Sequence, residues 1–270
     1  MWPRPARRVD PRSRRSRQTE SMKPVMGVDI GGSGIKGAPV DLGKGLLDQD
    51  RVRLPTPDGA PPQPVADVVA EVVGSFDTGG PVGCTFPAVI VGGVARTAAN
   101  VDPAWIGTDV QALFSRTTGR DVVVINDADA AGLAEMRYGA GKDRDGVVVM
   151  LTLGTGIGSA LFVDGRLVPN TELGHLEIRG KSAEHRASDR VREERNLGWQ
   201  DWAERLNEVL GRIEALVSPD LFILGGGVSK KSGHFIELLS TQAEVTPAAL
   251  LNNAGIVGAA LAVSEGHSQA

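Results

Sequence analysis

Cysteine is nearly missing from this chain: Cys84 is the only one in 270 residues. That excludes a disulfide framework within the chain and a cysteine-based zinc site. Cys84 lies in an apolar stretch and reads as a small buried side chain of a strand. Aromatic residues are scarce too, at 4%, and Trp199 and Trp202 fall on an apolar helical stripe, where they read as core and not as a stacking platform. No apolar run approaches the length that spans a bilayer. The first 22 residues lack the apolar stretch of a signal peptide. They hold seven arginines against Asp10 and Glu20, a net +5; with −4 for the whole chain, residues 23–270 carry −9. So acidic a body argues against nucleic-acid binding. The arginine-rich segment, residues 1–22, reads as a disordered arm. Three explanations stay open for it: a start at Met22 or Met26, an inert tail, or a basic arm for a polyanion.

What the chain has in quantity is glycine. Its 35 glycines gather where strands end, which suits close approach of backbone to a ligand as well as turns. The stretch that organises the rest is Val122-Val-Val-Ile-Asn126-Asp127-Ala-Asp-Ala-Ala-Gly-Leu-Ala-Glu135. Four β-branched residues predict a buried strand, and residues 128–137 predict a helix, with Asn126 or Asp127 as its cap. Open α/β sheets place their crevice at the carboxyl ends of strands. A carboxylate there, Asp127, can accept a proton from a bound hydroxyl. Read alone, the dipeptide is more simply a pair of helix caps.

Its context changes that balance. Val25 to Ile30 predicts a strand, Gly31-Gly32-Ser33-Gly34 a turn, and 35–42 a returning strand. Glycine N–H groups and the Ser33 hydroxyl can surround an anion. Asp29 can hold a divalent cation through water, and Lys36 can meet a phosphate as a point charge. A third strand is expected over 46–54, a helix over 65–76, short strands near 82–86 and 89–94, and a helix over 108–118. Asn100 lies in a loop between them, where it either meets a polar ligand or only stabilises a turn. Then Gly146 to Leu153, Gly154-Thr155-Gly156 and a second strand to Val163 repeat the opening design. We read this as an internal duplication, two halves each presenting one phosphate turn to a shared cleft.

Glu172 and His175 follow in a loop, three apart, able to hydrogen-bond sugar hydroxyls; with no other ligand cluster nearby in sequence, a metal site there is discounted. Glu184, out of context, reads as a solvated acid preceding a helix that begins near Ser188 and runs to 217. A strand at 219–224 leads into Gly225-Gly226-Gly227, where a nucleotide or phosphate chain can approach. Residues 252–263 form a last, alanine-rich helix.

Taken together, these motifs resemble the sugar kinases of the ROK family (repressor, open reading frame, kinase). The resemblance covers about residues 25–263 and rests on Asp29-Ile-Gly-Gly-Ser-Gly, Asn126-Asp127-Ala-Asp-Ala-Ala, Leu153-Gly-Thr-Gly-Ile-Gly, Glu172-Leu-Gly-His175 and Gly225-Gly-Gly-Val-Ser, in that order. Ser33-Gly-Ile-Lys-Gly-Ala-Pro-Val-Asp, Arg96-Thr-Ala-Ala-Asn-Val-Asp, Pro169-Asn-Thr-Glu-Leu-Gly-His-Leu-Glu and Asn253-Ala-Gly-Ile-Val-Gly-Ala-Ala are similar to the branch of glucokinases that uses inorganic polyphosphate. The resemblance implies an α/β, duplicated actin-like or hexokinase-like (RNase H-like) two-lobed fold. The small lobe would span residues 23–126 and the large lobe 127–270, with the final helix packing back on the small lobe.

It further implies phosphoryl transfer to the 6-hydroxyl of glucose, with Asp127 as base. Asn100, Asn126, Glu172, His175 and Glu184 would hold the sugar, which reverses the isolated reading of Glu184. Gly31, Gly32, Ser33, Gly34, Lys36, Gly154, Thr155, Gly156, Gly226 and Gly227 would hold the phosphates or nucleotide, and Asp29 would support Mg²⁺. Inorganic polyphosphate, ATP or both would be the donor, with Lys36, Lys142, Arg144, Lys230 and Lys231 as candidates for a phosphate track. Most of the family carries zinc on one His and three Cys; no such cysteines follow His175, so zinc is not expected. A homodimer in the cytoplasm, with no nucleic-acid or membrane partner, completes the expectation. A sugar-responsive repressor of the same family would need a helix-turn-helix before the first strand, and the residues there lack helical apolar spacing.

Overall fold

A computed structural model of the chain describes residues 23–99 and 101–266; the arginine-rich arm and Asn100 lie outside the described residues. The first half opens with an antiparallel hairpin. Strand β1 (Val25–Gly31) pairs with β2 (Gly34–Asp41), Ile30 opposite Ile35, around Gly32-Ser33. Two short strands, β3 (Leu46–Leu47) and β4 (Val52–Leu54), pair with the outer edge of β2. A single strand over 46–54 is expected; after Asp48, whose N–H still donates to the Pro39 carbonyl of β2 at 2.8 Å, the exposed polar pair Gln49-Asp50 leaves the ladder and splits it.

Helix α1 (Pro62–Gly74) carries proline in its first turn and buries Val65, Ala66, Val69, Val72 and Val73. Strand β5 (Val82–Phe86) is buried throughout and runs parallel to β1. A ribbon of β6 (Ile90–Val91) and β7 (Val94–Ala95) precedes α2 (Val110–Thr118). Strand β8 (Val122–Asn126) is parallel to β5 and passes directly into α3 (Asp127–Tyr138). The sheet order is β3-β2-β1-β5-β8, with β4 also on β2.

The second half repeats the plan. Strands β9 (Val147–Leu153) and β10 (Ile157–Val163) form its hairpin, with β11 (Arg166–Val168) on the edge. A small ribbon, β12 (Glu177–Ile178) and β13 (Lys181–Ser182), leads into α4 (Glu184–Ala187), α5 (Asp189–Glu194) and α6 (Trp199–Val217). Strands β14 (Leu221–Gly225) and β15 (Glu244–Pro247) then join parallel to β9, and α7 (Ala254–Ser264) ends the fold. The order β11-β10-β9-β14-β15 matches the first sheet strand for strand. The chain thus has a mixed α/β, duplicated actin-like fold.

The helix expected over 188–217 is two helices. Asn196 takes a left-handed backbone (φ 49°), which stops α5, and α6 restarts after Gly198. Apolar residues continue in phase across the break, so periodicity alone reads through it.

Strand alternation divides the second sheet between two cores. Val148 and Met150 join the core that also holds α3 and α7; Val149, Leu151 and Leu153 join the one with Trp202, Leu206 and Leu210 of α6. Trp202 is core, as the sequence suggests. Helix α7 lies against β1 and β5, backbone to backbone, and crosses α3 closely. A Cβ at Gly258 would sit 1.7 Å from the Ala130 carbonyl oxygen, so only glycine permits the crossing. Among the described residues no helix is long and apolar enough to cross a membrane.

Candidate active site

The two glycine turns face the same space. A cleft of about 650 Å³ is lined by Gly31, Gly32 and Ser33 from the first turn and Gly154, Thr155 and Gly156 from the second. Asn126, Asp127, Glu172, His175, Glu184 and Gly226 line it too. Residues far apart in sequence converge there because both hairpins end at the carboxyl ends of their first strands, as does β8.

Asn126 and Asp127 divide the work at the head of α3. The Asn126 Oδ1 accepts hydrogen bonds from the Ala128 and Asp129 N–H groups at 2.8 and 3.1 Å, and its Nδ2 donates to the Ala88 carbonyl at 3.1 Å. Capping thus occupies Asn126, which is buried, and leaves the Asp127 side chain exposed to the cleft. One Asp127 oxygen accepts from the Ala128 N–H at 2.9 Å. Burial among the cleft walls raises its pKa to about 6, and the neighbouring Asp29 and then Glu172 charges push the same way. Solvent still enters from the cleft, so the carboxylate is enclosed by protein without being sealed from water; a bound substrate would complete the desolvation.

Asp29 sits in a row of side chains on one face of the first sheet. Its Oδ1 accepts from the Thr85 Oγ1 at 3.1 Å, and its Oδ2 pairs with the Lys36 ammonium at 3.2 Å. The register sets this row, with Lys36 opposite Asp29 and Arg53 opposite Lys36. Lys36 is therefore engaged beside the cleft and is not among the residues lining it.

The opposite wall is acidic with one imidazole. Glu172 precedes a 3₁₀ turn, Leu173–His175, which is anchored by a hydrogen bond from the Leu173 N–H to the Ser159 Oγ at 2.9 Å. His175 stands between two carboxylates, its Nδ1 3.8 Å from Glu172 and its Nε2 3.9 Å from Glu184. Burial raises the Glu172 pKa, His175 lowers it and Glu184 raises it again. Glu184 is the first residue of α4, so it is a first-turn acid as its local sequence suggests, yet its side chain faces the cleft.

Gly226 follows β14 with φ 83°, and a Cβ there would lie 2.3 Å from the Leu153 carbonyl oxygen. Gly227 begins the turn of 3₁₀ helix behind it, outside the lining. Gly34 is likewise behind its turn, covered by a side chain the sequence did not flag. Arg53 lays its guanidinium over Gly34, and its Nη2 donates to the Ser33 carbonyl at 2.8 Å. Thr56 donates to the Gly31 carbonyl at 2.6 Å. Only the β2–β4 register brings Arg53 to the turn, so no local motif could have announced it. Two of the expected track residues are spoken for elsewhere: Arg144 pairs with Glu244 at 2.6 Å and Lys231 with Glu193 at 3.8 Å.

The ROK family profile matches residues 25–194. The polyphosphate glucokinase of Mycobacterium tuberculosis (strain CDC 1551 / Oshkosh) is 54% identical over 237 residues, 87% of this chain and 89% of that protein. The polyphosphate glucokinase of Mycobacterium leprae (strain TN) is 51% identical over 245 residues, 90% of this chain and 76% of that protein. Among solved structures, the inorganic polyphosphate/ATP-glucomannokinase from Arthrobacter sp. strain KM superposes with a TM-score of 0.88 at 50% identity, covering 91% of this chain and all of that one. A ROK family glucokinase from Streptomyces griseus, crystallised with glucose and AMPPNP, shares the fold with a TM-score of 0.76 at 24% identity, covering 88% and 98% of the two chains.

Proposed function

The chain belongs to the ROK family, and we propose that it is a glucokinase that transfers a phosphoryl group from inorganic polyphosphate, and from ATP, to the 6-hydroxyl of glucose. One observation carries the reading: the Asp127 carboxylate opens into a cleft with a glycine/hydroxyl turn from each half of the chain. Relatives about half identical over nearly the whole chain support the substrates.

Glu172, His175, Glu184 and Asn126 orient the sugar. Two carboxylates accept from hydroxyls, and the free hydrogen of the Asn126 amide donates. Asp127 accepts the proton of the 6-hydroxyl as its oxygen bonds to the terminal phosphorus and the bond to the donor's bridging oxygen breaks. Backbone N–H groups of the two turns, with the Ser33 and Thr155 hydroxyls, hold the donor's phosphates. The carboxylates of Asp29 and Asp127 are close enough that one raises the other's pKa. Two carboxylates against one ammonium, that of Lys36 on Asp29, leave hard oxygen donors that suit Mg²⁺, with Asp29 holding it through water. When bound, the ion neutralises charge that develops on the transferring phosphoryl group. We place the enzyme in the cytoplasm as a homodimer.

Initial rates with polyphosphate and with ATP, at matched phosphoryl concentration and read by glucose 6-phosphate formation, test the assignment. Turnover with both donors is expected. Product from ATP alone would make the protein an ATP-dependent kinase of the same family, and product from neither would end the kinase reading.

The pH profile tests the base. Asp127 works only when ionised, and its pKa is raised to about 6. The rate kcat/KM should therefore be level above that value and fall about tenfold per pH unit below it. A profile still level well below that pKa would free Asp127 of the role.

A further inference from the structure

The row of side chains at Asp29 continues away from the cleft as a row of positive charge. Lys36 stands opposite Asp29 and Arg53 opposite Lys36. Arg51, two residues before Arg53 on the segment entering β4, projects to the same side and donates from Nη1 to the Asn253 side chain at 3.1 Å. Beyond it lies a second pocket, about 450 Å³, lined by Leu47, Asp50, Arg51, Lys230 and residues 250–253. Lys230 enters from the turn that begins just after Gly226, so the same segment touches the cleft with Gly226 and this pocket with Lys230.

These cations are not used up by the fold. Among the described residues, Arg51, Arg53 and Lys230 have no carboxylate within ion-pair distance, while Lys44, Arg144 and Arg192 each do. Arg53 reaches backbone and Arg51 an amide, both neutral acceptors. Arg51 and Lys230 thus line one pocket, and Arg53 lies two residues on at the Ser33 turn, all three without a carboxylate partner on a body whose described portion is acidic. A stability role would favour pairing them, and Asp50 at the pocket's rim is the only carboxylate lining it.

We infer that Arg53, Arg51 and Lys230 form a track for the phosphates of a polyphosphate chain beyond those at the reaction centre. This rests on the reading that polyphosphate is a donor and specifies where its distal part lies. A linear polyanion repeats one charge per phosphate along a flexible backbone and needs cations in series, not a closed pocket. ATP ends in a nucleoside and presents no further phosphates to such a row. The track therefore discriminates between donors by length.

The test compares Arg51→Ala, and the double variant Arg51→Ala/Arg53→Ala, with wild type, using ATP, tripolyphosphate and long-chain polyphosphate. Arg51→Ala leaves the turn at Ser33 untouched, so it isolates the track. KM for long-chain polyphosphate should rise about tenfold per arginine removed, one charge-assisted contact each. KM for ATP should hold within about twofold for Arg51→Ala, and the advantage of long chains over tripolyphosphate should shrink. Arg51→Lys should restore most of it. Equal changes for ATP and long-chain polyphosphate, or none for either, would overturn the track. If wild type itself uses ATP but not polyphosphate, the donor reading fails and the variants are beside the point.

Discussion

Replacing Asp127 by asparagine will lower kcat with glucose by roughly 10²–10⁴-fold, the usual worth of general-base help. KM for glucose will change little, because the residues assigned to the sugar hydroxyls are intact. Nor should the fold suffer. The asparagine side chain keeps an oxygen for the Ala128 N–H, now 2.9 Å from an Asp127 oxygen. It also removes a charge held among walls and beside Asp29 and Glu172. Thermal unfolding should therefore occur at a temperature no lower than wild type. The combination matters: turnover collapses while stability does not. A variant with kcat within about tenfold of wild type would show that the proton leaves by another route.

Glu135→Ala will give the opposite signature. Glu135 is fully buried near the end of α3. Its carboxylate accepts the N–H groups of Ala140 at 2.8 Å, Ala249 at 3.0 Å and Leu250 at 2.7 Å. An acceptor-only group with two oxygens suits three converging donors. It ties α3 to the segment between β15 and α7, more than a hundred residues on. Truncation strands those donors and costs about 3 kcal/mol, less than three separate charge-assisted bonds because water reaches part of the segment. For a chain of this size that lowers Tm by roughly 6–12 °C. Calorimetry will show the drop, and turnover measured well below the new Tm will stay near wild type. Glu135→Gln will fall between, since its amide NH₂ faces donors. An unchanged Tm in the alanine variant would mean the three N–H groups find water at no loss.

Much of this architecture could be read from the residues, and the parts that could not have a common cause. The hairpins were legible because β-branched runs stop at glycine and hydroxyl residues twice over, and the same spacing gave the duplication. Asp127 was legible as the residue after a buried strand. The break at Asn196 was not, since Val191, Trp199, Trp202 and Leu206 keep helical phase across it. The loss of pairing at Gln49-Asp50 was hidden by the apolar residues at either side. Glu184 looked like a surface acid because the imidazole it approaches lies nine residues earlier in a different loop. Arg53 and Thr85 carry no motif at all. Both reach the site through strand register, Arg53 across β2 and Thr85 across β1, and register is a property of the sheet and not of any short stretch. Asn100, expected at the sugar, lies outside the described residues, and its role stays with the proposal.

The Asn126 amide has one more consequence. One of its ends grips the helix bearing the base, and the other grips the carbonyl of Ala88, a buried residue of the cleft wall. That wall and the base are therefore bolted to a single bracket. A sugar whose shape pushes the wall outward drags the carboxylate off its line of attack. Discrimination among hexoses on this side would show itself as lost catalytic rate more than as lost affinity.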